Sequence, residues 1–284
     1  MYMNFKLIKS YAKVNLSLKV LGKLKSGLHK IESLVSFLDL HDEIYIKNIK
    51  NKKHKIIFYG KFSKGISKKN TIYTLLKILD SEKFLKEKKY FIKIKKNIPQ
   101  KSGMGGGSMN AAALIKYFLS KNIIKLSKNK IIEISNLVGS DVKLGLELKN
   151  TILFSNQKLF RMKKKIPFFC LVIKPNFGCS TKLIYKKIKS FSKSQFNQNI
   201  KNILNINKIK SFDNDLEDIV LRKYPKFKKL KLFIQNLPRV KIVRMTGSGS
   251  SIVAYFETRN NSLNAAEIFR KKYKNYWCIL SKTI

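Results

Sequence analysis

A chain of 284 residues is long enough to bury one or two hydrophobic cores, and its 44% content of apolar residues excludes wholesale disorder. Its 61 Lys and Arg against 16 Asp and Glu leave a formal net charge of +45, a field that draws in phosphorylated ligands and offers nothing to a neutral one. The lysines run along the whole chain, with only short clusters such as MKKK (162–165) and KFKKLK (226–231), whereas a nucleic-acid footprint gathers charge on one face or in a tail.

In chain order, KVNLSLKVLG (13–22), ESLVSFLDLHDEIYIKNI (32–49) and KIIFYG (55–60) alternate apolar residues at period two and predict an antiparallel sheet. Asn70 is placed to cap a helix over 71–85, and KYFIKIKKNIP (89–99) returns to a strand that stops at Pro99. The glycine-rich PQKSGMGGGSMN (99–110) follows and opens a helix whose Leu114, Ile115, Phe118 and Leu119 form one apolar stripe. A second helix over 128–139 ends at Gly139, ahead of SDVKLG. From residue 151 the pattern restarts with a hairpin-like TILFSNQKLFRM, a buried strand FFCLVIKP, and a weakly apolar stretch rich in Ser, Lys and Asn over about 190–212. Helical segments interrupted at Pro225 come next, then two strands around a glycine turn (240–257), a helix over 262–273 and the strand YWCILSK. Strands and helices mixed without a steady βαβ rhythm indicate an α+β architecture with a boundary near residue 150.

Cys170, Cys179 and Cys278 are too few and too scattered for a disulfide framework or a four-ligand metal site, and His29, His41 and His54 lack paired metal spacing. The N-terminal segment has no apolar core bounded by a small-residue cleavage site, and apolar runs such as PFFCLVI (167–173) are too short to span a bilayer. A cytoplasmic protein without a membrane partner is expected.

A phosphate cradle needs inward-pointing backbone N–H groups and close approach of the anion to the main chain, which Cβ-free glycine allows. A helix that starts at once adds its unpaired N–H groups and the positive end of its dipole. GMGGGSMNAAALIKYF has both parts in that order, yet it matches neither a Walker A loop nor a dinucleotide GxGxxG pattern, and a flexible joint before a helix has the same composition. RMTGSGSS (244–251) reads as a turn between strands by itself; two glycine loops in one chain point more strongly to a nucleotide site. Among few acids, Asp141 stands in apolar company, where a cap, an ion pair or chemistry would each account for it.

Taken together, AKVNLSLKVLG, GLHKIESL, P-x4-GMGGGS-x-NAA, GSDV, NDLE (214–217) and TGSGSS resemble, in order and spacing from residue 10 to about 256, the kinases of the GHMP superfamily that act on 4-diphosphocytidyl-2-C-methyl-D-erythritol. The resemblance implies a two-domain fold, with an N-terminal ribosomal-protein-like α/β domain (1–150) and a C-terminal α+β domain (151–284). It implies ATP-dependent phosphorylation of the 2-hydroxyl of that substrate, in the non-mevalonate route to isoprenoid precursors. Asp141 would take or orient the proton of the attacking hydroxyl, and Lys13 beside it would stabilise the developing alkoxide. The ATP phosphates would be wrapped by Pro99, Gln100, Lys101, Ser102, Gly103, Met104, Gly105, Gly106, Gly107, Ser108, Met109 and Asn110, with Asn70 near the adenine and Mg²⁺ travelling with the nucleotide. Asn15 and His29 match positions that hydrogen-bond the methylerythritol and cytidine portions, Tyr185 a position that stacks on cytosine, and Thr181 lies nearby; TGSGS would support the ATP-side loop.

The chain departs from the family pattern at Leu28, where a Tyr is usual before the histidine, at Met109, which replaces a second serine of the glycine loop, and at Lys143, Leu144 and Gly145, where a Pro-Phe-Phe-like segment is usual. The expected partner is a small molecule, a cytidyl diphosphate sugar alcohol, with no specific nucleic acid, and the chain is expected as a monomer or homodimer. Two alternatives stand beside this reading: a homoserine- or mevalonate-type GHMP kinase, and a basic RNA-binding protein on a ribosomal-protein-like fold.

Overall fold

The computed structural model describes residues 4–24, 27–196 and 202–284. The chain divides into two compact units, the first formed by Met1–Lys13, Leu40–Gln100 and Gly105–Leu148, the second by Val14–Asp39, Lys101–Met104 and Lys149–Ile284. Strands β1 (Lys6–Lys23) and β2 (His29–Ile49) are long enough to contribute residues to both.

In the first unit the latter part of β2 pairs antiparallel with β4 (Lys89–Lys95), from Glu43 opposite Lys95 to Ile49 opposite Lys89. Strand β3 (Lys55–Tyr59) joins the outer side of β4 in parallel, against the antiparallel arrangement its period-two pattern suggests. The reason is the connection: helix α1 (Thr71–Ser81) lies between β3 and β4, and a crossover of that length returns the chain in the same direction. Asn70 caps α1, its Oδ1 accepting from the N–H groups of Ile72 and Tyr73. The helix stops short of residue 85 because Lys83 takes a left-handed backbone conformation just after its C-cap, Glu82. Ile44, Ile46, Ile92 and Ile94 of the sheet bury their side chains against Leu75 and Leu79 of α1, Leu114, Ile115 and Phe118 of α2 (Gly106–Ser120) and Ile134 of α3 (Lys128–Val138). The short helix α4 (Val142–Gly145) follows α3.

In the second unit the early part of β2 pairs with β5 (Thr151–Leu153), which forms the expected hairpin with β6 (Leu159–Arg161). A separate antiparallel sheet has the order β10-β7-β9-β8, with β7 at Phe169–Lys174, β8 at Ile242–Met245, β9 at Ile252–Phe256 and β10 at Trp277–Lys282. Helices α5 (Thr181–Lys186), α6 (Ile206–Ser211), α7 (Asp215–Lys223), α8 (Pro225–Gln235) and α9 (Arg259–Lys272) complete the unit. Pro225 interrupts the helical run as expected, starting α8 where its missing N–H costs nothing. Its core sets Leu171, Ile173, Ala254 and Phe256 against Phe227, Leu230, Ile234 and Phe269. Of the weakly apolar stretch over 190–212, residues 197–201 lie outside the described residues and 206–211 are helical. Among the described residues no helix is long and apolar enough to cross a membrane.

Candidate active site

Lys13 stands on β1 between the buried Ala12 and Val14, and its side chain is only 6% exposed. A buried ammonium needs a partner to offset its lost hydration. That partner is Asp141, whose Oδ2 lies 3.2 Å from the Lys13 Nζ. Asp141 begins α4 but makes no capping bond with its side chain, and the carboxyl group keeps 31% exposure, so one face of it is open to a reactant. Of the three reasons a carboxylate could have for standing there, the cap is excluded, and the ion pair is present.

The glycine stretch meets this pair directly. Gly105 adopts φ +66° at the start of α2, and a Cβ there would come within 3.0 Å of Lys13 Cγ, 3.1 Å of Lys13 Cε and 3.6 Å of Asp141 Oδ2. No side chain caps α2, and the first intrahelical bond runs from Met109 N–H to Gly105 C=O, so the amides of Gly106, Gly107 and Ser108 have no partner within the helix. This is the donor array an anion seeks. The Ser108 Oγ lies 3.4 Å from where a Cβ on Gly139 would stand, and the Thr71 hydroxyl donates to Gly107 C=O at 2.7 Å.

Two residues of this site escaped the sequence reading. Lys96 is buried with its Nζ only 3.3 Å from the position of a Cβ on Gly106, and it is ion-paired to the wholly buried Asp42. Asp42 also accepts from the N–H groups of Asn97 and Ile98, both at 2.8 Å, which fixes the segment that enters the glycine stretch. No signal marked Lys96 among so many lysines; Asp42, one of few acids in an apolar strand, had the same signal that singled out Asp141. Asn70 spends its carbonyl oxygen on the α1 cap and its amide on Ser67 and Lys68 C=O. Gln100 ties down the loop before α1 by donating to the C=O groups of Phe62 and Lys64, each at 2.8 Å. Asn110 is buried with its Oδ1 unpaired. Lys143, two residues beyond Asp141, is buried too, and desolvation pushes its pKa below the ordinary lysine value while Asp141 pulls it up.

Lys101–Met104 belong to the second unit, where they pack on the other glycine loop. Gly103, at φ +77°, leaves no room for a side chain: a Cβ would fall 2.0 Å from Thr246 C=O oxygen, and one on Gly247 would fall 2.9 Å from Gly103 C=O oxygen. Ser251 N–H donates to Ser102 C=O at 3.3 Å, and Thr246 Oγ1 to Gly103 C=O at 3.2 Å. Asn15 clamps the same loop, accepting from Gly247 N–H at 3.0 Å on Oδ1, while its amide donates to Ser33 Oγ at 2.8 Å. From the other side Asn214, first of the NDLE segment, donates to Met245 and Gly247 C=O, and Glu217 accepts from Met245 N–H.

Elsewhere in the second unit His29 and Tyr185 are brought together, their rings 4.8 Å apart and inclined at 42°. His29 Nε2 is buried without a hydrogen-bond partner, and burial, aided by Lys23, pushes the imidazole pKa below its usual value. Thr181 opens α5 and shares a 2.8 Å hydrogen bond with Ser248. Leu28 projects outward, 65% exposed.

Residues 70–147 match the family described as the GHMP kinases N terminal domain. A 4-diphosphocytidyl-2-C-methyl-D-erythritol kinase from Pelagibacter ubique is 55% identical over 282 residues, covering 99% of this chain and 100% of that one. One from Caldicellulosiruptor bescii is 31% identical, covering 92% of each. Among solved structures, a 4-(cytidine 5'-diphospho)-2C-methyl-D-erythritol kinase superposes with a TM-score of 0.80 at 22% identity over 98% of this chain, and a homoserine kinase from Cytophaga hutchinsonii with 0.72 at 16% over 100% of it; both share the fold. The lysine–aspartate pair at the glycine helix thus sits in a chain that belongs to the 4-diphosphocytidyl-2-C-methyl-D-erythritol kinase family of the GHMP kinases.

Proposed function

We propose that this kinase transfers the γ-phosphoryl group of ATP to the 2-hydroxyl of 4-diphosphocytidyl-2-C-methyl-D-erythritol, with Asp141 and Lys13 as its catalytic pair. The observation that carries the assignment of roles is the contact of Gly105 with both Lys13 and Asp141, because it brings a proton acceptor, a fixed positive charge and the uncapped start of α2 into one place. An alcohol is a poor nucleophile at neutral pH, and phosphoryl transfer is otherwise positioning and charge stabilisation. Asp141 accepts the hydroxyl proton as the new O–P bond forms and the bond to the β-phosphate oxygen breaks. Lys13 holds the carboxylate in place and offsets negative charge on the attacking oxygen. The amides of Gly106, Gly107 and Ser108 take the charge of the phosphates, and Lys96 adds a cation beside Gly106.

The described residues contain no convergence of three or more His, Cys, Asp or Glu, a donor set that suits Mg²⁺ carried by the nucleotide phosphates rather than caged by protein. Carried in this way, Mg²⁺ would supply neutralisation of phosphate charge, and Asp141 is a carboxylate of this site that could help hold it. In the second unit the orphaned Nε2 of a neutral His29 can hydrogen-bond the edge of a pyrimidine, and Tyr185 offers a ring face for stacking. Asn15 and Thr181 stand with them as substrate residues; since Asn15 already holds Gly247, its contribution is that of a post for the loop as well. The protein acts in the cytoplasm.

The test is turnover of the cytidyl substrate by purified protein with ATP and Mg²⁺, with homoserine and mevalonate as competing acceptors. Phosphorylation of the cytidyl compound, inhibited by cytidine nucleotides, supports the reading. Folded protein that phosphorylates only a simpler alcohol, or that binds RNA selectively at physiological salt and turns over nothing, overturns it.

A further inference from the structure

Met109 on the glycine helix and Gly145, four residues after Asp141, meet in space. Gly145 is the last residue of α4, and an ideal Cβ on it would stand 2.8 Å from Ala112 Cβ, 2.9 Å from Met109 Sδ and 3.1 Å from Met109 Cε. Met109 and Ala112 are three residues apart and so lie on one face of α2. Met109 is only 2% exposed and Ala112 fully buried. At the other end of the same turn, Gly139 packs on Ser108, with 3.4 Å between its ideal Cβ and the Ser108 Oγ. The segment that carries Asp141 is therefore seated on the first turns of α2 at both ends. Those turns also begin the phosphate cradle, through Gly105, which touches Lys13 and Asp141.

We propose that Gly145 is a positioning residue whose missing side chain, matched to the long Met109, sets how closely the Asp141 turn rests on α2 and so holds the carboxylate in register with Lys13 and the cradle. In a closely packed interior a methyl group with no space must be accommodated by a shift of backbone. Ala112 Cβ is fixed to its helix and cannot yield, whereas the end of Met109 can, so most of the shift falls on α4 and the residue that begins it, Asp141. Neither Gly145 nor Ala112 touches a reactant in this account, so the effect belongs to the chemical step and not to binding.

The inference rests on the kinase reading above, and the experiment separates the two. Steady-state kinetics with ATP and the cytidyl substrate are measured for the parent chain, Gly145→Ala, Gly145→Ala/Ala112→Gly, Gly145→Ala/Met109→Ala and Met109→Ala, with thermal melts to establish that each is folded. A parent chain with no turnover counts against the kinase reading. With an active parent, the expected result is a kcat for Gly145→Ala lower by tenfold or more, with both KM values within about twofold. Each second substitution, which makes room for the added methyl group, should recover at least threefold of that loss, a non-additivity expected of groups in contact. Should Gly145→Ala fail to fold, Met109→Ala alone decides the matter, with a kcat lowered at least threefold at unchanged KM as the expected result. An unchanged kcat in folded Gly145→Ala, losses that simply multiply in the double variants, or a loss expressed as higher KM overturns the inference; for Met109→Ala alone, an unchanged kcat does so.

Discussion

The two glycine loops have nearly the same composition and opposite uses. In GGGSMN the glycines leave backbone N–H groups unspent: α2 starts without a side-chain cap, and Gly105 is bare so that Lys13 and Asp141 can approach it. In TGSGSS four of the six backbone N–H groups are spent inside the protein, Thr246 N–H on Ser251, Gly249 N–H on Thr246, Gly247 N–H on Asn15 and Ser251 N–H on Ser102, and the loop is clamped further by Asn214. Glycine in the first loop makes space for charge, and in the second it makes space for another strand of backbone, that of Gly103. Composition cannot distinguish these uses, since both need the same absent Cβ. What distinguishes them is whether the freed amides find partners inside the protein.

The comparison breaks most easily at the first loop's neighbours. Asp141→Asn and Lys13→Ala should each lower kcat by about 10² to 10⁴ in steady-state kinetics, and Asp141→Asn should also lower the melting temperature, because it takes from the buried Lys13 ammonium the carboxylate that offsets its lost hydration. A kcat within a factor of three of the parent for Asp141→Asn would remove it from the role of proton acceptor. Gly103→Ala should act on folding instead, because its Cβ would strike the Thr246 carbonyl at a left-handed φ; a stability loss of about 3 kcal/mol in denaturant unfolding is expected. Gly105→Ala sharpens the contrast, with the left-handed penalty of about 1 kcal/mol in stability but a larger loss in kcat, since the nearest atoms it displaces are those of Lys13.

Smaller effects are expected from the side chains around the second loop. Asn214→Ala removes its bonds to Met245 and Gly247 and the α7 cap, for about 2 kcal/mol of stability with little change in KM for ATP. Tyr185→Ala should raise KM for the cytidyl substrate, and not for ATP, by an amount corresponding to about 1 to 3 kcal/mol of stacking. The least is expected from acid. Because burial lowers the His29 pKa, the ring is neutral at pH 7 and the unfolded chain binds the proton more readily; as pH falls below about 6.5, the usual histidine value, His29 should contribute progressively less to stability and KM for the cytidyl substrate should rise. A KM that is flat from pH 7 to 5.5 would take His29 out of base recognition.

Much of the local structure was legible in the sequence. Period-two alternation placed the strands, Asn70 announced α1 and Pro225 began α8, because these signals depend on residues a few positions apart. The parallel pairing of β3 with β4 was not legible, since the same alternation serves either direction and only the path through α1 decides it. The site was legible unevenly. Asp141 drew notice because acids are scarce, but Asp42 carried the same signal unread, and Lys13 and Lys96 were indistinguishable from the other lysines until burial set them apart.

By itself, then, the sequence determined the order of elements, the glycine stretch ahead of a helix and, through the order of its motifs, membership of a kinase family. Tertiary structure alone decided which lysines lose their water and must find carboxylates, that Gly103 packs on Thr246 while Gly105 packs on Lys13, and that Met109 and Gly145 share one contact. The physical reason is range. Secondary structure and turns follow from neighbours in the chain, whereas desolvation, ion pairing and the fit of a methyl group depend on residues far apart in sequence that only the folded chain brings within a few ångströms.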